Sequence, residues 1–238
     1  MDNLYVITPV KDSIDLTLQT AKAVMESEVK GRFTYTIFND FSTAENTKIL
    51  EDASKNLGFN LVNLCDLTTH PSPNYLLVLQ YAREKALASS AALVIVESDV
   101  VVRPDTLQKL AEGVAERSDC GIASAVTVDE AGEINYPYLY AKGKKGQVVD
   151  EKKHLSFCCA LLTPKFLESF DFAELDPAKN WHDVTISHRS LKEGFKNYLF
   201  ANLPVVHRPH GSRPWKQLKY TNPLKYYWRK FTKGLDKI

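Results

Sequence analysis

The first half of the chain alternates short apolar runs with longer segments in which apolar residues recur every three or four positions. The runs are typical of buried strands, and the longer segments are typical of helices packed on one face. In order, these are strand 4–7, helix 14–25, strand 33–38, helix 44–57, strand 59–64, helix 75–89, strand 93–96, helix 106–117 and strand 121–128. This alternation predicts an α/β fold with a mostly parallel central sheet flanked by helices.

Polar residues at the ends of these segments give local signals. Asp12 and Ser13 are suited to cap the first helix, and Thr43 precedes the second, which Gly58 ends. The second half has a different pattern, without regular alternation. Its predicted elements are a flexible basic loop 141–146, an apolar run 155–162, a short helix from Thr163 and Pro164, a helix from Trp181 to Gly194, and a strand 198–206 that ends on His207.

These patterns divide the chain into one domain and a tail. The domain covers residues 1–212, with a nucleotide-binding half to about residue 130 and an acceptor half over 131–212. The tail covers 213–238. The loop 141–146 lies either beside a site or simply in solvent.

The apolar run that ends at Val96 is followed by two carboxylates, Glu97 and Asp99. An unbroken apolar run suits a strand buried on both faces of a sheet. Ligands of such sheets bind at the carboxyl ends of the strands, and side chains two residues apart on extended backbone point the same way. The pair is therefore a candidate cation site. The alternative is that both acids close the strand before the helix start at Pro104.

Composition is that of a globular protein: 44% of the 238 residues are hydrophobic and 25% are charged. With no apolar run of about 18 residues and no signal-peptide pattern, we expect a cytoplasmic location. The cysteines lack the spacing of a zinc site, so we expect reduced thiols in structural packing rather than redox chemistry. They are Cys65, Cys120, Cys158 and Cys159.

The order of the motifs resembles family 2 of the glycosyltransferases, which have the GT-A fold. The matching positions, within about residues 4–212, are Ile7-Thr8-Pro9-Val10, Asn39-Asp40-Phe41-Ser42, Glu97-Ser98-Asp99, His182-Asp183 and Pro204-Val205-Val206-His207. Asn39, Glu97 and His182 differ from the residues usual in the family. The resemblance implies a metal-dependent, inverting transfer of a sugar from a nucleotide-sugar donor to a hydroxyl of a glycan or lipid-linked acceptor.

The resemblance also implies roles in binding the donor. Asp99 binds the metal, Mn²⁺ or Mg²⁺, and Glu97 faces the ribose hydroxyls or reaches the metal through water. Asp40, beside Thr8 and Pro9, hydrogen-bonds the base. The donor site also includes Ser98, which lies between the two acids, and a further metal ligand, His207, whose imidazole suits Mn²⁺ better than Mg²⁺. The alternative for His207 is a half-exposed polar residue at a strand end.

Asp183 is the candidate general base, which would take the proton of the acceptor hydroxyl. As an alternative, Asp183 caps a helix, a role compatible with the first. Trp181 and His182 are expected beside the acceptor, with Trp181 as a stacking wall or as an ordinary packed aromatic residue.

The tail 213–238 has eight Lys or Arg and one Asp, whereas the rest of the chain has 22 basic and 28 acidic residues. Aromatic residues lie between these cations, a pattern typical of segments at the surface of an anionic membrane. We therefore expect peripheral binding to the inner face of a membrane, or a tail packed across its own domain. The acidic remainder argues against nucleic acid as a partner.

Two other functions remain open at this point. One is a catalytically silent nucleotide-sugar binder or membrane-tethered partner protein, which the altered Asn39, Glu97 and His182 would permit. The other is a sugar-phosphate nucleotidyltransferase, which needs a glycine-rich loop after its first strand. Because residues 8–30 contain no glycine, this function is disfavoured.

Overall fold

The computed structural model describes residues 3–179, 181–209, 218 and 222–232. Its strands and α-helices are β1 Asn3–Val10, α1 Ile14–Met25, β2 Arg32–Asn39, α2 Ala44–Leu57, β3 Asn60–Asn63, α3 Tyr75–Ala88, β4 Ala92–Val96, β5 Val100–Val101, α4 Thr106–Ala115, β6 Cys120–Val128, β7 Val148–Asp150, β8 Cys159–Leu162, α5 Pro164–Ser169, α6 His182–Lys192, β9 Lys196–His207 and α7 Pro223–Thr232. The alternation of strands and helices predicted for the first half is confirmed.

One sheet connects all the strands in the order β3-β2-β1-β4-β8-β6-β9-β5, with β7 also paired to β9. Pairing is parallel from β3 to β4 and again between β6 and β9. The strand β8 runs antiparallel between β4 and β6. The α/β class is confirmed, and β4 lies in the middle of the sheet as its unbroken apolar sequence indicates.

The side chains of β4 alternate between two apolar layers. Leu93 and Ile95 pack in the layer formed with α3, α5 and α6. Val94 and Val96 pack in the layer formed with α1, α2 and α4. Burial of each such side chain stabilises the fold by about 1.5–3 kcal/mol. The two layers hold β4 firmly, and the acids that follow it are therefore fixed in position.

Helix ends follow the predicted signals only in part. Thr43 caps α2 by accepting a hydrogen bond from the backbone N–H of Asn46, and Gly58 ends α2 with φ 85°. The predicted cap of α1 is wrong, because Ser13 lies at that position with φ 44° and its side chain makes no capping bond. Instead, the carboxylate of Asp12 accepts from the N–H of Thr43 at 2.9 Å, which ties the segment after β1 to the start of α2.

The segment 141–146, predicted as a flexible loop, belongs mostly to a 3₁₀ helix over Leu139–Lys144. Ala141 is buried, and the N–H of Gly146 donates to the carbonyl of Ala201 at 2.9 Å. Tyr138, just before the helix, is also buried and accepts a hydrogen bond from the N–H of Ser156. These buried contacts, which are distant in sequence, are the reason that the prediction was wrong.

The described part of the tail is mainly α7. The proposed domain boundary at residue 212, and the aromatic residues Trp215 and Tyr220, lie outside the described residues. Among the helices that the structure describes, none is long and apolar enough to cross a membrane.

Candidate active site

Strand pairing brings four side chains together at the carboxyl end of β4. The N–H of Glu97 donates to the carbonyl of Cys158 at 2.9 Å, because β8 lies antiparallel beside β4. The N–H of Arg208 donates to the carbonyl of Asp99 at 2.9 Å, because β9 pairs with β5. Glu97, Asp99, Cys158 and His207 therefore converge although they are far apart in the sequence.

Distances in this cluster are those of direct contacts. The Nε2 atom of His207 lies 3.5 Å from Oδ2 of Asp99, and its Nδ1 lies 2.6 Å from the carbonyl oxygen of Tyr136. Since a carbonyl can only accept, Nδ1 carries the proton and Nε2 is turned toward Asp99. The Sγ atom of Cys158 donates to Oε2 of Glu97 at 3.1 Å. One ligand atom each of Glu97, Cys158 and His207 lie within 4.8 Å of one another.

The electrostatics of the cluster follow from its burial. Burial, and then the charge of Asp99, raise the pKa of Glu97. Burial disfavours the charged form of His207, but its interactions with Asp99 and Glu97 outweigh burial and raise its pKa. Burial, and then the charge of Glu97, raise the pKa of Cys158 well above its usual range. A cation bound in the cluster would lower the pKa of each of these three groups.

Asp183 lies in the first turn of α6, and its Oδ1 accepts from the N–H of Val184 at 2.9 Å. The capping position of α6 is Trp181 rather than Asp183, so the structure contradicts the alternative in which Asp183 caps this helix. Burial, then the charges of Glu97 and Asp183, raise the pKa of Tyr75 well above its usual range. Asp183 also raises the pKa of Glu97. Asp183 therefore lies within electrostatic range of Glu97 and Tyr75.

Thr8 and Pro9, two residues expected near the base of the nucleotide, differ in their exposure to solvent. Thr8 is fully buried, and its Oγ1 accepts from the hydroxyl of Tyr35 at 2.8 Å, so its place in the donor site stays a prediction. It faces the interior because Thr8 is still within β1, where side chains alternate between the two faces. Pro9, the next residue, is partly exposed.

Asp40 lies at the end of β2 and is held by the loop before α3. Its carboxylate accepts from Ser72 Oγ at 2.7 Å, from the N–H of Asn74 at 2.9 Å and from Nδ2 of Asn74 at 2.7 Å. These bonds fix its orientation. Ser98, between the two acids after β4, is buried.

Trp181 and His182, the residues expected beside the acceptor, also differ in their exposure to solvent. Trp181 is partly exposed. His182 is buried, with its ring 6.3 Å from that of Tyr75, and burial lowers its pKa. The start of α6 turns His182 toward α3 and away from solvent, and its contact with an acceptor stays a prediction.

Sequence reasoning missed two residues of this region. The sequence predicts only structural packing for Cys158, yet its thiol contacts Glu97. Tyr75 was placed only at the start of a helix, yet it lies near Glu97 and Asp183. No local pattern distinguishes either residue, because both reach the site through pairing or packing of distant elements.

No protein-family model matches the chain, and no curated protein matches it in sequence. The chain is similar in structure to the mannosyltransferase PcManGT of Pyrobaculum calidifontis in complex with GDP-Man and Mn²⁺, with a TM-score of 0.66, 14% identity and 96% of this chain covered. It is also similar to TarS (residues 1–349) of S. aureus, with a TM-score of 0.64, 14% identity and 87% covered. The chain has the GT-A fold.

The GT-A fold is also shared with GalNAc-T7 in complex with UDP, GalNAc and Mn²⁺, at a TM-score of 0.64, 11% identity and 87% of this chain covered. The chain spans 64%, 60% and 44% of the lengths of these three proteins, in the order given. Identities this low establish the GT-A fold alone.

Proposed function

We propose that the protein is a metal-dependent, inverting glycosyltransferase of the family 2 type. It moves a sugar from a nucleotide-sugar donor to a hydroxyl of a glycan or lipid-linked acceptor. The observation that carries the proposal is the convergence of Asp99, Glu97 and His207 at the end of β4, with Asp183 within electrostatic range of Glu97. The GT-A fold, shared with a mannosyltransferase whose structure contains GDP-Man and Mn²⁺, supports it.

The residues after β4 fit a divalent cation. The carboxylate of Asp99 and the Nε2 atom of His207 are 3.5 Å apart, and oxygen with imidazole nitrogen is a donor set that suits Mn²⁺. Burial, and then the charge of Asp99, raise the pKa of Glu97, and a bound cation would oppose this shift. A bound Mn²⁺ or Mg²⁺ supplies stabilisation of the departing diphosphate. Asp99 and His207 would hold this ion, with Glu97 toward the ribose or reaching the ion through water.

Asp183 is the general base of the proposed reaction. Its carboxylate takes the proton of the acceptor hydroxyl while that oxygen bonds to the anomeric carbon. Attack comes from the face opposite the nucleoside diphosphate, which leaves with the electron pair of the broken bond. The bond from the N–H of Val184 holds Oδ1 in place, which fixes the orientation of the carboxylate in the first turn of α6.

The donor and acceptor occupy opposite sides of this centre. Asp40, fixed by three hydrogen bonds, presents its remaining lone pair to the base of the nucleotide, beside Pro9. Ser98 contributes to the same donor site through its position between the two acids. Trp181, partly exposed at the start of α6, forms the wall against which the acceptor sugar stacks.

Thermal unfolding with a panel of nucleotide sugars tests this function. A matching donor at a hundred times its dissociation constant adds about 2.7 kcal/mol to the free energy of unfolding. We expect this stabilisation with Mn²⁺ and its loss with EDTA. In a turnover assay with the same donor, we expect metal-dependent release of nucleoside diphosphate. Stabilisation without any turnover would instead identify the silent binder, and no stabilisation by any nucleotide sugar would contradict both.

The helix α7 supports a second proposal, binding to an anionic membrane surface. Its exposed apolar side chains are Leu224, Tyr227, Trp228 and Phe231, which are 86%, 58%, 71% and 89% exposed. Their spacing of three and four residues places them on one face of the helix. Lys225, Arg229 and Lys230 supply positive charge beside that face. This combination suits the headgroup region of an anionic bilayer, where a lipid-linked acceptor would lie.

Co-sedimentation with lipid vesicles checks this proposal. We expect binding to vesicles containing anionic phospholipid and little binding to neutral phosphatidylcholine. Replacing Leu224, Trp228 and Phe231 together by Ser should weaken binding by at least about tenfold, since each apolar side chain contributes about 1.5–3 kcal/mol when buried. The control is Leu67→Ser, another exposed apolar residue. Equal sedimentation of the triple variant and the unaltered protein would rule out α7 as the membrane contact.

A further inference from the structure

The proposed transfer gives no role to the thiol of Cys158, which lies inside the cluster. Cys158 is 2% exposed, and its Sγ is 3.1 Å from Oε2 of Glu97 and 3.4 Å from the hydroxyl of Ser156. One ligand atom each of Glu97, Cys158 and His207 lie within 4.8 Å of one another. Among the described residues, this group brings a sulfur, a nitrogen and an oxygen ligand into one place.

Such a mixed set of ligands favours different ions from those favoured by carboxylates alone. Thiolate and imidazole together select Zn²⁺, Co²⁺ and similar thiophilic cations, whereas Mn²⁺ and Mg²⁺ prefer oxygen. Ligand atoms about 2.0–2.3 Å from a tetrahedral ion lie about 3.3–3.6 Å from one another. The observed 3.1 Å between sulfur and oxygen is already close to that spacing, and the others need only a small contraction from at most 4.8 Å.

We propose that Glu97, Cys158 and His207 form a binding site for a thiophilic divalent cation, with Zn²⁺ as its preferred occupant. The ion takes the place of the thiol proton, which leaves to the solvent, and no electron is transferred. Because His207 also serves the Mn²⁺ proposed for transfer, the two ions exclude each other. Zn²⁺ is therefore an inhibitor that acts by replacing the productive metal.

Titration of the full chain with Co²⁺, without donor or acceptor, tests the site. Co²⁺ reports a thiolate ligand by a sulfur-to-metal charge-transfer band in the near ultraviolet. All variants carry Cys65→Ser, since Cys65 is exposed beside Asp66 and would bind metal unspecifically. We expect the band in this background, its loss in Cys158→Ser, and its retention in the matched control Cys159→Ser, which changes a buried neighbour in β8.

Competition supplies the second measurement. Zn²⁺ should abolish the cobalt band. It should also displace bound Mn²⁺, which is detected by the paramagnetic resonance signal of the free ion. Cys158→Ser should weaken Zn²⁺ binding at least about a hundredfold. Absence of the cobalt band in the Cys65→Ser background, in which Cys158 is intact, overturns the inference. So does equal Zn²⁺ affinity with and without the Cys158 thiol.

This inference shares its cleft with the proposed function but does not depend on transfer. A protein that shows the band and never transfers sugar retains the thiophilic site and loses only the glycosyltransferase proposal. A protein that transfers sugar with Mn²⁺ and lacks the band loses only the thiophilic site.

Discussion

Replacement of Asp183 by Asn should lower the rate of sugar transfer about 10²–10⁴-fold, the usual contribution of a general base. Asn has the same shape as Asp but cannot accept a proton, and its oxygen can still accept the hydrogen bond from Val184. Donor binding, measured by thermal shift with Mn²⁺, should remain because the proposed role of Asp183 concerns the acceptor alone. Turnover should therefore fall while the apparent affinity for donor stays within about twofold.

A change of charge at the other end of α6 is the matched control. Glu193→Gln removes a carboxylate that pairs with Arg189 at 2.9 Å near the end of the same helix. Because exposed ion pairs contribute about 0–1 kcal/mol, this variant should transfer sugar at the unaltered rate. Normal turnover in Asp183→Asn would remove Asp183 from the role of base, and loss of donor binding would assign it to the donor instead.

Replacement of Asp99 by Asn should weaken Mn²⁺ binding at least about a hundredfold, since it removes the charge of the proposed direct ligand. Asp99 lies 3.5 Å from His207, so the substitution leaves the imidazole with a neutral amide beside it. Both donor binding and transfer should fall together, unlike in Asp183→Asn. Isothermal titration with Mn²⁺ and a nucleoside diphosphate measures the change directly.

Asp105→Asn is the control for this second variant. Asp105 follows Asp99 by six residues and pairs with Lys109 at 2.5 Å on the exposed side of α4. Its substitution should leave Mn²⁺ affinity unaltered, because it lies at the start of α4 rather than in the cluster. Undiminished Mn²⁺ binding by Asp99→Asn would show that the metal, if bound, uses other ligands.

Local patterns were sufficient for much of the fold. The helix 44–57 has the predicted bounds, because Thr43 and Gly58 supply the start and stop within the segment itself. Prediction failed where a distant contact competed with a local signal. Ser13 does not cap α1, and its neighbour Asp12 is bound to the start of α2 instead. The segment 141–146 is not a flexible loop, because Ala141 is buried.

The candidate site could be predicted from the sequence in part. Glu97 and Asp99 were identifiable because an apolar strand ends on them, and His207 because a strand ends there too. Their mutual distances, and the contact of Cys158 with Glu97, depend on how β8 and β9 are placed in the sheet. The side chains of Thr8 and His182 face the interior for the same reason, since a side chain's face is set by what packs around it.

The order of strands and helices, the buried central strand and the carboxylates at its end are determined by the sequence alone, because apolar spacing and the residues at element ends act over a few positions. The insertion of β8 beside β4, the pairing of β5 with β9 and the inward turn of His182 are decided only in the tertiary structure. These contacts join residues tens of positions apart, and a chain has no short-range signal for which distant strand it will pair with.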